Sequence, residues 1–410
     1  MSSVFTDVQN LIEKYIELWQ KTTPDISFLK EYSYKDKKIK EKEIFKAIDE
    51  LSEQISSLPD DINNKEWQHQ LKLKISQQAR AFLKIQNKEF ENLMIEGFLE
   101  STNDFISKAQ KFDESLKFED IYQAMRNVWI MNIIQVIGAK NIACTPSVFS
   151  YSMLYPYTDN FLDDPNISID EKKLFNKNLK KRLEGDNIEP ASDGEKQIYQ
   201  LISMIESEYG REKYPRVFES ILCIHAGQCK SIEQQDMAQN AKINEILNIS
   251  IEKGGSSVLA DAYLACGDPE ENLADLMFGF GFVLQLVDDL QDAKADYQNN
   301  HITIFSGNVN NTKLDSLTKQ LISFTANTLD FSSSQSKYTE SIKSLIFDNT
   351  LLLIFEAIWQ NNNLYSKQFI RYIKKHMPYD YRKLHKKMRK LKKKFSSLEN
   401  KYKLLFEKGI

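Results

Sequence analysis

The sequence predicts an all-α protein. Apolar residues recur at intervals of three and four through nearly every long segment, the period of a helix with one buried face. Glycine and proline are scarce, 13 and 9 in 410 residues, which leaves little material for tight turns. No strand-rich region and no βαβ pattern interrupts the helical period. With 41% apolar and 27% charged residues the chain belongs among globular proteins.

In chain order, residues 1–115 read as an N-terminal helical layer without evident chemistry. LSEQISSL and QHQLKLKISQQARAFLKIQNKEFENLMIEGFL carry the helical period, YKDKKIKEKE reads as a solvated face, and LPDDINNKE as a turn. The opening MSSVFTDVQNLIEKYIELWQ is amphipathic and acidic, unlike a signal peptide, and no run approaches a membrane span. Cys144, Cys223, Cys229 and Cys266 show no CxxC spacing and read as free thiols of a reducing compartment. A cytoplasmic location is the expectation.

Residues 116–360 form the expected core. Helices are predicted over 118–142, over SVFSYSMLYPYTDNFLDD after a break at Pro146, over 196–208, and over 215–247 continuing through 248–266. Residues 165–195 mix helix and loop. GDPEEN caps the next helix, and two more follow at 313–328 and 338–359 around DFSSSQSK. Residues 361–410 form a basic tail, a helix pair broken near Pro378. From position 366 the tail holds 16 basic and 3 acidic residues, leaving 38 basic and 55 acidic in the rest. The body is acidic and the tail basic. Absent are GxGxxG, GxxxxGK[ST] and HExxH, which disfavours nucleotide-binding folds and zinc hydrolases.

The chain is organised around residues 277–296, MFGFGFVLQLVDDLQDAKAD. On a helix, Asp288, Asp292 and Asp296 fall at i, i+4 and i+8, with Asp289 beside them and Gly281 and Gln285 continuing that face. Like charges at this spacing repel, so the segment calls for a cation. Oxygen-only ligands select a hard one, Mg2+ before zinc. A second cluster, DNFLDD, supplies Asp159, Asn160, Asp163 and Asp164, 129 residues before Asp288, behind Phe149, Tyr151, Tyr155 and Tyr157. Two facing helices of this kind would hold several Mg2+ ions between them. Mg2+ fills its shell with water and substrate phosphate, so a phosphorylated substrate with an apolar body is expected.

GFGFVLQLVDDLQDAKAD resembles the second aspartate-rich motif of the trans-prenyl diphosphate synthases, with Gln285, Asp288, Asp289, Asp292 and Asp296 in matching order. Lys253–Gly254–Gly255 resembles the family's Lys-Thr-Gly/Ala segment, and Gly227–Gln228 its upstream Gly-Gln. Asp159–Asn160–Phe161–Leu162–Asp163 is similar to the DNxxD first motif of the large, tetraprenyl-curcumene-type terpene synthases. The resemblance covers roughly residues 120 to 300. It implies a class I terpenoid synthase-like helical bundle, extended by the N-terminal layer and the tail.

The same resemblance implies a Mg2+-dependent enzyme that ionises an allylic prenyl diphosphate. Asp159, Asp163, Asp288, Asp289 and Asp292 would be catalytic, and Asn160, Asp164 and Asp296 would complete the metal ligands. The matching Lys253, Gln228 and Gln285 would bind diphosphate; by charge alone Arg216 and Arg211 are further candidates for it, and by residue type Phe149, Tyr155, Phe278 and Phe282 are candidates to line the hydrocarbon pocket. Chain-elongating relatives carry an Arg pair soon after the first motif. Here PNISIDEKK follows, and Lys180–Lys181–Arg182 comes late. Cyclisation or elimination of one allylic diphosphate is therefore expected ahead of chain elongation, and a non-catalytic partner subunit comes last. A homodimer is compatible with the family. For the tail, peripheral contact with anionic lipid is expected rather than nucleic acid, with Leu384, Met388, Leu391 and Phe395 spaced as a shallow apolar face.

Overall fold

A computed structural model describes residues 3–57, 88–163, 166–234, 243–309, 313–329 and 338–397, with Glu66, Gln70, Leu73, Lys74 and Gln77. Fourteen helices and two 3-10 turns make up the regular structure of these residues, with no strand among them. The first seven helices are α1 (Val4–Lys21), α2 (Tyr34–Ser56), α3 (Lys88–Phe112), α4 (Phe118–Ile137), α5 (Pro146–Asp163), α6 (Ile169–Glu184) and α7 (Asp193–Glu208). Then come α8 (Pro215–Gln234), α9 (Ile243–Cys266), α10 (Glu271–Gln298), α11 (Asp315–Thr328), α12 (Thr339–Gln360), α13 (Lys367–Ile373) and α14 (Tyr381–Ser397). The expected turn at 58–65, the DFSSSQSK linker, the middle of the helix expected over 215–247, and Asp164 lie outside the described residues.

Serines set several helix starts. Ser3, Ser33, Ser168, Ser192 and Ser366 each accept the backbone N–H of the residue three positions on. Asp36 and Glu171 return the bond to the backbone of Ser33 and Ser168, completing capping boxes. Pro146 opens α5 as the first helical residue, where its missing N–H costs nothing.

The centre of the bundle is α9. Most of its side chains from Ile246 to Ala265 are buried, as befits a helix apolar all round. Packed about it are α10, α8, α4, α1 and α5. The α9–α10 crossing depends on absent side chains. A Cβ at Gly281 would lie 2.1 Å from the Gly254 carbonyl oxygen, and one at Gly255 would lie 2.5 Å from the Phe278 ring. At the crossing with α8, a Cβ on Gly227 would press against the Lys253 backbone at 3.1 Å.

The N-terminal helix is part of this core. Val4, Val8, Ile12, Tyr15 and Trp19 form the buried stripe of α1, which packs on α8, α9 and α10. The Tyr15 hydroxyl donates to the Asp275 carbonyl at 3.0 Å, and Lys14 pairs with the Asp275 carboxylate at 2.6 Å. One continuous apolar core runs from Val4 to Tyr381, across the expected boundaries near 115 and 360.

The tail helix is docked as well. Lys383 pairs with Glu41 of α2 at 3.2 Å, and Lys387 pairs with Asp49 and donates to the Phe45 carbonyl. His385 stacks on Trp359 of α12 at 4.3 Å and pairs with Glu356 at 3.0 Å. Of the expected apolar face, Leu391 is buried and Leu384 half-buried, while Met388 is exposed. The Phe395 side chain lies outside the description. Arg382, Lys386, Arg389, Lys390 and Lys393 remain as an exposed cationic stripe. Among the described residues, no helix is long and apolar enough to cross a membrane.

Candidate active site

Helix α10 carries the acidic ladder to the surface end of the bundle. Asp288 and Asp292 are exposed, Asp296 is half-buried and Asp289 is buried. Desolvation raises Asp288, Lys253 and Arg126 pull it down, and Asp296 pushes it up. The residue meets water, while neighbouring protein partly desolvates its carboxylate. Asp292 is raised by partial burial and then by Asp288 and Asp296, the repulsion that the i, i+4, i+8 spacing predicts. His301 closes the ladder: its backbone N–H caps the Asp296 carbonyl at 2.8 Å and its ring lies 3.5 Å from the Asp296 carboxylate. That hydrogen bond to Asp296 raises the imidazole above its ordinary value, against partial burial.

Asp289 points the other way, into the α9 interface. It accepts from Gln285 Nε2 at 2.8 Å and from Ser250 Oγ at 3.1 Å. Burial lifts its carboxyl to about 7, against the two hydrogen bonds and Lys253. Gln285 thus orients an acid inside the wall. Lys253 acts on Asp288, Asp289 and His301 together, which puts its charge at the head of the ladder. Gln228 is half-buried on α8, next to the Gly227 that crosses Lys253.

Register brings the two acidic segments to one end. Ser147 Oγ donates to the Leu264 carbonyl at 2.9 Å, and the Tyr155 and Ser257 hydroxyls are 2.8 Å apart. These contacts fix α5 antiparallel to α9. Position 159, one turn beyond 155, therefore stands level with Lys253. The side chains of Asp159, Asn160 and Asp163 lie outside the description, as does Asp164. Among the described residues no three His, Cys, Asp or Glu side chains stand close enough to hold an ion.

Several expected substrate contacts are placed elsewhere. Arg216 pairs with Asp7 of α1 at 2.6 Å and lies over the Tyr263 ring at 5.3 Å. Tyr263 is ten residues beyond Lys253 along α9, about 15 Å at the helical rise, so Arg216 serves the far end of the bundle. Arg211 bonds Glu206 and the Leu183 carbonyl, and Arg182 also bonds Glu206. Phe149 packs on Phe105 and Phe112, and Phe282 on Trp19 and Phe324. Phe278 lies against Gly255 and Tyr15. All three phenylalanines are core side chains, which leaves Tyr155, half-buried, as the aromatic of that set on the α5–α9 seam.

The seam holds residues that no motif announces. Asp261, two turns beyond Lys253 on the same face of α9, is 1% exposed and accepts from Asn127 Nδ2 of α4 at 3.1 Å. Burial lifts it to about 8. Arg126, next to Asn127 and exposed, is the cation of α4 that acts on Asp288. Asp261 and Asp289 both have folded values above the unfolded carboxyl value. Their stabilisation is complete below about pH 4 and is lost as pH rises through about 7 for Asp289 and about 8 for Asp261. Each contributes a slope of up to about 1.4 kcal/mol per pH unit within its window. The Tm of the metal-free protein should fall from pH 5 to pH 8, and Asp261→Asn should flatten that fall in scanning calorimetry. An unchanged slope in the variant would contradict the assignment.

No protein-family model, curated protein or solved structure matches this chain.

Proposed function

We propose that the chain is a Mg2+-dependent class I terpenoid synthase. It ionises an allylic prenyl diphosphate, releases diphosphate and forms a terpene by cyclisation or elimination. The observation that carries this function is the register of α5 on α9. It brings position 159 level with Lys253, whose charge acts on Asp288 of α10. Two acidic segments 129 residues apart in sequence thereby share one end of the bundle.

The donor set fits a hard cation, since α10 presents oxygen ligands that repel one another. Asp288 and Asp292, with Asp296, would hold Mg2+ from α10, and Asp159, Asn160 and Asp163 from α5. Bound there, Mg2+ supplies Lewis-acid neutralisation of the leaving diphosphate. The protein's own residues do the rest. Lys253 and Arg126 offer positive charge to diphosphate oxygens at the mouth. Asp289, clamped by Gln285 and Ser250, fixes the angle at which α10 presents its neighbour Asp288. The small residues of α9 bring the walls together and help to exclude water from the cation formed.

Incubation with C10 to C35 prenyl diphosphates and Mg2+, followed by product and diphosphate analysis, tests the proposal. Release of diphosphate with a terpene product is expected, and inertness toward all chain lengths would refute it. Efficient condensation with isopentenyl diphosphate is not expected, because no arginine pair follows Asp164. Radiolabel from isopentenyl diphosphate entering a longer prenyl chain would favour the elongating enzyme.

The exposed stripe of α14 suits reversible contact with anionic lipid, where apolar substrates and products partition. Each cation near such a surface contributes about 1 kcal/mol, screened by salt. Reversing Lys386, Lys390 and Lys393 to Glu should abolish low-salt co-sedimentation with phosphatidylserine vesicles. Equal binding by the variant would reduce the stripe to a solvated face.

A further inference from the structure

The hydrogen-bond ladder of α5 is interrupted just before the helix delivers its acids. Pro156 lies inside the helix. It has no N–H for the Ser152 carbonyl and its ring crowds that oxygen, so the break falls within a turn of Asp159. Thr158 adds to the bend by returning its hydroxyl to the Leu154 carbonyl at 2.9 Å. The turn that follows is held from outside. Tyr157 Oη donates to Asp113 Oδ2 at 2.7 Å, and Gln197 Nε2 of α7 donates to the same oxygen at 3.0 Å. The other oxygen, Oδ1, accepts the Ser115 backbone N–H at 2.9 Å and the Ser115 hydroxyl at 2.6 Å. Asp113 directly follows α3, and its own N–H caps the Ala109 carbonyl. One carboxylate thus ties together the end of α3, the post-proline turn of α5 and α7. Burial pushes Asp113 up, but the bonds from Ser115, Tyr157 and Gln197 outweigh it and hold the carboxyl below its ordinary value. Ring contacts support the same turn: Phe112 meets Tyr157 edge-on at 6.1 Å, and Phe161 lies 4.4 Å from Phe175 of α6.

We propose that Asp113 is a positioning residue for the first acidic segment: through the Tyr157 hydroxyl it holds positions 159 and 163 in the register that Mg2+ requires. The role rests on the function proposed above. Continuity of the helix fixes these positions weakly, because Pro156 removes a bond that would transmit it. The ion is exacting, demanding near-octahedral oxygens at about 2.1 Å. At about 100° per residue, positions 159 and 163 lie roughly 200° and 240° round the helix from Tyr157. They continue the face of Tyr151 and Tyr155, the second of which meets Ser257 of α9. The brace therefore grips α5 from behind and leaves the acidic side clear. Asp113 needs no contact with metal or substrate for this. Partners that stand behind metal ligands set the affinity of a site by fixing where its ligands point.

The test uses Tyr157→Phe, which removes only the hydroxyl, and Asp113→Ala, which removes the hub. Mg2+ is titrated in the presence of inorganic diphosphate, and its half-saturating concentration is read from the rise in Tm. Hydrogen exchange is followed on the metal-free protein. In the wild type, Mg2+ and diphosphate together should raise the Tm. Each variant should need about tenfold more Mg2+, the scale for losing a partner behind a metal ligand. The double variant should need no more than Asp113→Ala alone, since both changes break one bond. Amides 158–163 should exchange faster in Tyr157→Phe. If Asp113→Ala fails to fold, Tyr157→Phe carries the same expectation. A wild-type Mg2+ midpoint in Tyr157→Phe, whatever its Tm or exchange, would overturn the positioning role and leave the synthase standing. A wild type whose Tm ignores Mg2+ with diphosphate would overturn the metal site and the role together.

Discussion

Asp288→Ala is expected to cut diphosphate release by about a hundred- to a thousandfold, the loss seen when one preorganised electrostatic contact to a developing charge is removed. Without Mg2+ the fold should not suffer. Asp288 is exposed, and removing it relieves its repulsion with Asp292 and Asp296, so the Tm of the metal-free variant should match or exceed that of the wild type. Asp159→Ala should lose activity to a similar degree, since position 159 stands level with Lys253. Asp289→Asn makes the instructive contrast. Asp289 is buried and accepts from both Gln285 and Ser250, and an amide offers only one acceptor oxygen to replace the two. Activity and stability should fall together there. Full turnover by Asp288→Ala in a quenched-flow diphosphate assay would remove the metal assignment.

Gly281→Ala should carry the largest stability loss. The added Cβ would sit 2.1 Å from the Gly254 carbonyl oxygen and 3.1 Å from the Gly255 Cα, both backbone atoms with no rotamer to escape into. The helices must part, at a cost of about 2–3 kcal/mol. Because Lys253 and the acidic ladder lie on opposite sides of that crossing, activity should fall with the Tm. Gly210→Ala is the control, since nothing lies within 4 Å of its Cβ position. A Tm for Gly281→Ala within a degree of the Gly210→Ala value would mean the crossing tolerates the methyl.

The sequence makes the helices legible because helical period and serine caps are local signals. The acidic ladder is legible for the same reason: four-residue spacing on one helix needs no tertiary knowledge. Asp261 is hidden because it sits in a run of small residues that reads as an ordinary buried helix, and its partner Asn127 is 134 positions away. Arg216 misleads in the opposite way. Its place among candidate phosphate binders depends on charge alone, and its partner Asp7, 209 positions distant, leaves no local trace. Phe149, Phe278 and Phe282 share the period of a pocket wall and of a core, and only packing tells the two apart. His301 did leave a signal: it follows Asp296 by five residues across a polar turn, within reach of the acid it caps.

The seating of α1 also has a consequence for how the chain is made. Its anchors are Asp275, Arg216 and Glu219, 260, 209 and 215 positions downstream of Tyr15, Asp7 and Val4. At about 5–20 residues per second, the first helix waits roughly 15–50 s for its docking surface to be synthesised. Meanwhile the stripe from Val4 to Trp19 has no native partner and must be shielded by transient structure or a chaperone. Closure of the bundle is then a late, non-local step, slow by the relation between contact separation and folding rate. Refolding should show a slow phase that a Tyr15→Ala change weakens at its end state, with little effect on the early gain of helix.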